Sequence, residues 1–575
     1  MASVSVKKCT MITAAITLLL SSPVGITGIM DGAPGARIAH AETVDSFMSR
    51  NDPGVQLNQA REYLERQATE RKLEEGQEGR KAQVETNMQK PEESAAAVTF
   101  TLNSVQVDPS VVLTEEEIQS VTAPYIGKPV SLSDLYAITG AINKLYADKG
   151  YLVCRAYLPP QRIHAGAVQI KLLEGKTGNV KITGLRKTRE GYVKSRIPLK
   201  PETVANTADL NKQLQWFNGT NDVQLRVTVH AGEQPGTTDY EIVAYEPQPN
   251  QTFTLYMDNN GYDTSGRFRQ GLFYNIRSLT GIRDSLRLSY LRSRGTDLFS
   301  GGYSVPVGKM GTRLDLDYST NKTEIVKGQL KDQNIKGKAH MLGVTLRHPL
   351  RVDQKRRDEV GLQYLYHKSK TDWGPQPWAD DKRNIFIPYI SFTHYGDSSI
   401  FYHKHSFPIT DYHGEPFGGL YPKDSHYLSY QMNMLYQKRY KHGQMLSGQL
   451  NAQFASNSKD MSSADRFYVG GSNNVRGYEE NYIGGNSGFS ASLTYQAPIN
   501  KAKTLHAFTF FDYGWVKTPD ADGSSYSLYS TGLGLSASYR NFYSSLTLGI
   551  PLKRHFDNYE EPNRGRVDFT CSYTF

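Results

Sequence analysis

Val567-Asp568-Phe569-Thr570-Cys571-Ser572-Tyr573-Thr574-Phe575 closes the 575-residue chain. Every second residue, Val567, Phe569, Cys571, Tyr573 and Phe575, is apolar or aromatic, and those between are acidic or hydroxylated. Successive side chains of a β-strand point to opposite faces, so the segment has one apolar and one polar side along its whole length. The same period runs upstream. Leu446, Gly448, Leu450, Ala452 and Phe454 alternate with Ser447, Gln449, Asn451 and Gln453, and Leu314, Leu316 and Tyr318 with Arg313, Asp315 and Asp317. It begins where Phe253, Leu255 and Met257 alternate with Thr252, Thr254 and Tyr256. A soluble sandwich alternates too, so the period alone leaves two architectures open.

The N-terminus separates them. Lys7 and Lys8 precede the apolar run from Ile12 to Leu20, which is too short to span a bilayer and of signal-peptide length. Ala39-His40-Ala41 supplies a small-x-small cleavage site, so residues 1–41 are expected to be an export signal. No other segment approaches a membrane helix, and a mean hydropathy of −0.53 with 21% charged residues excludes a helical membrane bundle. The 37 tyrosines and 50 glycines equally exclude a disordered, aromatic-poor chain. An exported chain with half-apolar strands, no stop-transfer helix and an aromatic terminal strand predicts a membrane β-barrel. The stretch 249–575, at about 20 residues per strand and turn, gives about 16 antiparallel strands, whose closure removes edges that lipid does not tolerate. The net charge of +9, which falls to +7 without the leader, is spread along the chain and reads as solvated surface, not a nucleic-acid footprint. Cys9, Cys154 and Cys571 are too few and too scattered for a disulfide framework or a zinc cage.

Between leader and barrel the texture is mixed. Asp52-Pro53 is a helix-start signal, and Val55, Leu57, Ala60, Tyr63, Leu64 and Ala68 recur near helical spacing, predicting one amphipathic helix in residues 42–75. A lone helix gains little stability without packing, so this one is expected to dock. Residues 76–95 are polar and read as a linker. Residues 96–175 then predict a small α+β module. Val98, Phe100 and Leu102 mark a strand, Thr114-x-x-Glu117 a capping box, and Leu135, Ile138, Ile142 and Leu145 a helix, with closing strands at 153–158 and 167–173. Residues 176–248 repeat that outline.

Gly150-Tyr151, then Ala156-Tyr157-Leu158-Pro159-x-Gln161, Gly166 and Glu174-Gly175 resemble the first POTRA domain of the TpsB family, the outer-membrane transporters of two-partner secretion, including haemolysin secretion proteins. Gly232, Pro235-Gly236 and Asp239 resemble the end of its second POTRA domain, and Asp258-Asn259-x-Gly261 the opening of its barrel. The most specific match is Gly470-Gly471 followed by Val475-Arg476-Gly477-Tyr478, similar to the VRGY tetrad on the loop that folds back into the barrel, here near 465–485. Its companion, Phe510-x-Asp512-x-Gly514, resembles the family's lumen-facing strand motif, and the resemblance pairs Arg476 with Asp512. A planar guanidinium can bind a carboxylate at two points and so fix a long loop. The resemblance further implies that the helix is a mobile plug, that these loop and strand residues gate the pore, and that Gly150, Tyr151, Leu158, Pro159 and Gln161 lie on a partner-binding module. It implies an unfolded TpsA-type adhesin, haemolysin or contact-dependent toxin as cargo, outer-membrane lipid as surroundings, the barrel-assembly machinery as inserter, and a Gram-negative outer membrane with POTRA domains in the periplasm. An assembly factor of the same superfamily is the alternative, although it usually carries more than two POTRA copies.

No enzyme chemistry is legible. There is no G-x-x-x-x-G-K-[ST] phosphate loop, and Gly484-Gly485-Asn486-Ser487-Gly488 lacks nucleophile-elbow spacing. His403 and His405 share a strand face, but no third metal ligand is identifiable, so neither a cofactor nor a metal is expected.

Overall fold

The computed structural model describes residues 44–78, 85–86, 99–234, 236–247, 249–416, 424–456, 461–518 and 524–575. The expected leader lies outside the described residues, as does most of the expected linker. No described helix is long and apolar enough to cross a membrane.

Sixteen antiparallel strands form a closed barrel in which neighbours in sequence are neighbours in space. It runs from Gln251–Asp258 to Arg566–Thr574, and these two strands close it with five residue pairs, Thr254↔Thr574 to Asp258↔Thr570. The alternation sets the faces. Val567, Tyr573 and Phe575 are exposed on the outer wall, while Arg566 and Asp568 are buried toward the lumen. The ninth strand is interrupted. Ser399–Ser406 and Ile409–Pro416 each pair with the eighth strand, Gln376–Tyr395, and the tenth, Asp424–Arg439. Pro408, at the break, has no amide hydrogen to give the ladder.

Two α+β modules precede the barrel. In the first, Thr114 and Glu117 form the expected capping box of helix Glu115–Thr122. Leu135, Ile138 and Ile142 on helix Leu132–Asp148 are fully buried against the sheet residues Val168 and Ile170. Cys154 joins this core, where burial pushes its thiol up to about 12 and leaves it unreactive. The second module packs helix Thr207–Thr220 on a four-stranded sheet. One edge strand of that sheet is Glu85–Thr86, which pairs in parallel with Gln224–Ala231. This module seats beneath one barrel mouth. Arg283, on a barrel turn, binds both carboxylate oxygens of Asp222, and Arg357 Nη1 donates to the Gly219 carbonyl at 2.9 Å.

Helix Pro53–Glu78 occupies the lumen. Asp52 Oδ1 caps it, accepting from the amides of Gly54 at 2.7 Å and Val55 at 3.2 Å, with Pro53 in the first turn. Its 26 residues correspond to about 39 Å, and they run lengthwise through the barrel. Pro53 lies against Gly337 near the end far from the modules, and Leu73 packs on Tyr395, Ile400 and Leu435 at the module end. The helix continues to Glu78, past the expected boundary at 75, because Glu and Gln favour helix and only Gly76 weakens that last turn. Its apolar residues do not form the single stripe expected. Val55 and Leu57 point about 200° apart, Val55 to Ala464 and Tyr468 of a loop, Leu57 to Leu298, Met341 and Leu365 of the wall. A helix enclosed on all sides needs no single apolar face. A shorter helix, Val44–Asn51, precedes it and packs Phe47 and Met48 on Ile325, Ile335 and Trp373.

Candidate gating site in the barrel lumen

The connection between the eleventh strand, Met445–Ala455, and the twelfth, Ser487–Pro498, folds into the lumen. A short hairpin, Phe467–Val469 with Ile483–Gly485, carries its tip. Gly470 and Gly471 both sit at φ +106°, a region that L side chains resist, and reverse the chain into Val475-Arg476-Gly477-Tyr478.

The structure places Arg476 on Asp512 of the thirteenth strand, Leu505–Lys517. Nε donates to Oδ2 at 2.8 Å and Nη2 to Oδ1 at 2.7 Å, and the Arg476 amide donates to Oδ2 at 3.0 Å. Nη2 also donates to Ser492 Oγ and Thr494 Oγ1 on the neighbouring strand, and the guanidinium lies 3.5 Å from the Phe510 ring centroid. Asp512 is completely buried, so its charge is compensated only by these groups. Phe510, Asp512 and Gly514 fall on the lumen face through the strand's period of two. Val475 packs with Val469, Val516 and Leu528, and Tyr478 donates to the carbonyls of Lys553 at 2.7 Å and Tyr529 at 3.1 Å.

Two glycines let the backbones meet. A Cβ on Gly514 would sit 2.8 Å from Val475 Cγ2, and one on Gly477, at φ +93°, would sit 2.9 Å from the Gly549 carbonyl carbon. Gly477→Ala is therefore expected to undock the tip. Limited proteolysis of the intact outer-membrane protein should then cut between residues 470 and 485 under conditions that leave the parent chain whole.

A second attachment escaped the sequence. Arg383, fully buried on the eighth strand, donates through Nη1 to Asp465 at the base of the loop and bonds through Nη2 to His367 Nδ1 at 2.6 Å. Tyr427 Oη donates to the other Asp465 oxygen at 2.6 Å. The helix binds the same loop. Asn58 donates to the Ala464 carbonyl at 2.5 Å, Gln59 to Asn481, and Arg66 to Asn473 through two nitrogens at 2.9 and 2.7 Å. Loop, wall and helix are thus one hydrogen-bonded assembly. Toward the modules the lumen retains a cavity of about 870 Å³, lined by both signs of charge, among them Arg287, Arg347, Asp315 and Glu359.

The residues expected on the partner-binding module have structural roles here. Gly150, at φ +86°, abuts Ala208 and Asn206 of the second module. Tyr151 and Leu158 pack on the first module's core, and Gln161 exchanges two 2.8 Å hydrogen bonds with the backbone of Gln169. Pro159 is half-buried beside them. The exposed apolar groups of the first module include Leu152, Tyr157 and Leu173, with Val111, Ile126, Tyr136 and Ile163 elsewhere on it. His403 Nδ1 lies 2.9 Å from His405 Nε2, and among the described residues no group of three or more His, Cys, Asp or Glu side chains is arranged to hold a metal.

Residues 100–175 match the family described as POTRA domain, ShlB-type, and residues 284–575 the Omp85 superfamily domain. The heme/hemopexin transporter protein HuxB of Haemophilus influenzae (strain 86-028NP) is 25% identical over 472 residues, covering 77% of this chain and 82% of that protein. The outer membrane transporter CdiB of Escherichia coli is 24% identical over 502 residues, covering 80% of this chain and 81% of that protein. In three dimensions, CdiB from Escherichia coli superimposes with a TM-score of 0.66 at 20% identity, covering 91% of this chain and 99% of that one. CdiB from Acinetobacter baumannii gives 0.63 at 16% identity, covering 93% and 100%. These relatives are transporters, and the barrel sits in the outer membrane with its POTRA modules in the periplasm. The chain belongs to the Omp85 superfamily and, within it, to the TpsB family of two-partner secretion transporters.

Proposed function

We propose that this transporter captures an unfolded, TpsA-type partner protein in the periplasm and secretes it through its own barrel without nucleotide hydrolysis. The observation that carries this reading is how the lumen is filled. Helix Pro53–Glu78 is held to the in-folded loop by side-chain hydrogen bonds, and the loop is held to the wall chiefly by the Arg476–Asp512 and Arg383–Asp465 pairs. All of these can exchange for water or for a passing chain while the β-ladder stays intact. The helix then acts as a plug and the Val475–Tyr478 tip, with Phe510, Asp512 and Gly514, as a gate. Energy for export comes from the partner folding on the far side.

Capture falls to the POTRA domains. Extended chains add to sheet edges, but Asn143 already bonds the Ala156 amide and carbonyl on the first domain's edge strand, and Glu85–Thr86 lie on the second domain's edge. The exposed Tyr157 and Leu173 on the first domain's edge pair of strands, with Leu152 just before them, offer an apolar surface for a first encounter. Tyr157→Asp is expected to lower partner release into the medium several-fold at unchanged barrel abundance, read by immunoblotting of medium and membranes.

Deleting residues 96–247 while keeping the helix and barrel tests the whole reading. The partner should accumulate in the periplasm and vanish from the medium. Continued release would overturn the proposal, and a general loss of other outer-membrane barrels would favour an assembly factor.

A further inference from the structure

The lipid-facing wall carries a polar stripe across the start of the seventh strand, Arg356–Trp373, and the eighth and ninth strands. Ser391, Thr393, Tyr395, Ile400 and Leu435 are buried toward the lumen, so Phe392, His394, Phe401, His403 and His405 point outward. Strand pairing fixes their heights. Arg356, His394 and Phe401 are mutually opposite beside the module-side turn at 396–398; Asp358, Phe392 and His403 form the next layer, and Ile390 and His405 the one after. Successive layers lie about 5 Å deeper in the wall, given strand rise and tilt. Arg356 and His394 therefore stand at headgroup level of the periplasmic leaflet, and the stripe descends from there toward the acyl chains.

We propose that this stripe seats the phosphate of a phospholipid headgroup in the periplasmic leaflet, with Arg356, His394 and His403 as its donors. Polar side chains against hydrocarbon are unfavourable unless something polar meets them. Within the wall, only part of this set is satisfied. Arg356 Nε donates to Asp358 Oδ1 at 2.7 Å, and its guanidinium lies 5.4 Å from the Phe392 centroid. That contact orients the two terminal nitrogens as a fork for an oxyanion. His403 Nδ1 bonds His405 Nε2 at 2.9 Å, and His405 Nδ1 meets Tyr430 Oη at 2.7 Å. This chain fixes the His403 ring and leaves its Nε2 to a ligand. The His394 ring stacks on His403 at 5.9 Å and 9° and on Phe401 at 6.2 Å and 23°, so the imidazoles share one face, flanked by aromatic rings that suit a glycerol backbone and the start of an acyl chain. The position on the bilayer-facing wall selects a lipid over a soluble anion.

Native mass spectrometry of the full chain, delipidated in detergent and titrated with dioleoylphosphatidylglycerol, tests the site. The first lipid should bind at least tenfold more weakly to the His394→Leu, His403→Leu double variant and to Arg356→Gln. His340→Leu removes a lipid-facing imidazole near the opposite rim, outside the Ala339 and Met341 lumen contacts, and should bind as the parent does. Leucine suits a lipid-facing position, and heat-modifiable gel mobility reports the folded barrel in each variant. Parent-like binding by both stripe variants overturns the proposal, as does equal affinity for dioleoylglycerol, which has the tails without the phosphate. Displacement by millimolar inorganic phosphate would overturn the lipid assignment.

Discussion

Arg476→Ala is expected to lower partner secretion at least tenfold while leaving a folded, inserted barrel. The side chain contributes two hydrogen bonds to Asp512, one each to Ser492 and Thr494, and a stacked contact with Phe510. Truncation removes all of them and leaves the fully buried Asp512 carboxylate without its cation, a loss of about 3–5 kcal/mol in comparable buried pairs. The loop tip bears that loss. The strands around Asp512 are joined along their whole lengths, from Ser487↔Lys517 to Pro498↔His506 on one side and from Leu505↔Ala537 to Lys517↔Ser525 on the other. Arg476→Lys should recover only part of the activity, because an ammonium cannot present the two-point fork. Adding Asp512→Asn to Arg476→Ala removes the stranded charge. It should restore the protease resistance of the loop tip but not secretion, which separates a gating anchor from a merely structural bond. Secretion is read by immunoblot of the medium and folding by heat-modifiable mobility. Unchanged secretion in Arg476→Ala would refute the loop anchor.

The barrel's strands were legible because their signal is local, and the export signal chose the barrel over a sandwich. A period of two, repeated about every 20 residues to Phe575, specifies strand, face and number without knowledge of a distant partner. The break at Phe407-Pro408 was carried only by a proline, and proline alone does not say whether a strand ends or is merely interrupted. The Arg476–Asp512 pair was reachable through two motifs that resemble a family's. Arg383 and Asp465 have no such motif. They lie 82 residues apart, and a charge on the lumen face of a strand reads like any solvent-facing charge. The helix posed the reverse difficulty. Val55 and Leu57 fit a helical pattern, but what they touch is a loop on one side and a wall on the other, and periodicity does not encode an enclosing surface. Gly150 and Gln161, motif residues of the first module, hold that module's own backbone and its junction to the next, since turn-forming motifs are shaped by folding before they are shaped by ligands.

Removing residues 53–78 should raise the single-channel conductance of the protein in planar bilayers several-fold and convert brief openings into a sustained open level. A helix with its side chains is about 10–12 Å across, a large share of the lumen of a 16-stranded barrel, and this one runs from Pro53 at one end to Leu73 near the other. With it gone, the residual cavity of about 870 Å³ at the module side is continuous with the space the helix leaves. The in-folded loop then loses its bonds to Asn58, Gln59 and Arg66 but keeps Arg383–Asp465 and Arg476–Asp512, so the pore should widen beside an anchored loop. A point substitution checks that the effect belongs to the helix and not to the shortened chain. Leu57→Asp places a carboxylate among Leu298, Met341, Leu365 and Ile385, where ionisation without a partner is unfavourable and release of the helix into water relieves it. That variant should show the high-conductance level intermittently, with the deletion showing it continuously. Parent-like conductance in both would mean that ions already bypass the helix, and the plug role would fail even though the helix lies in the lumen.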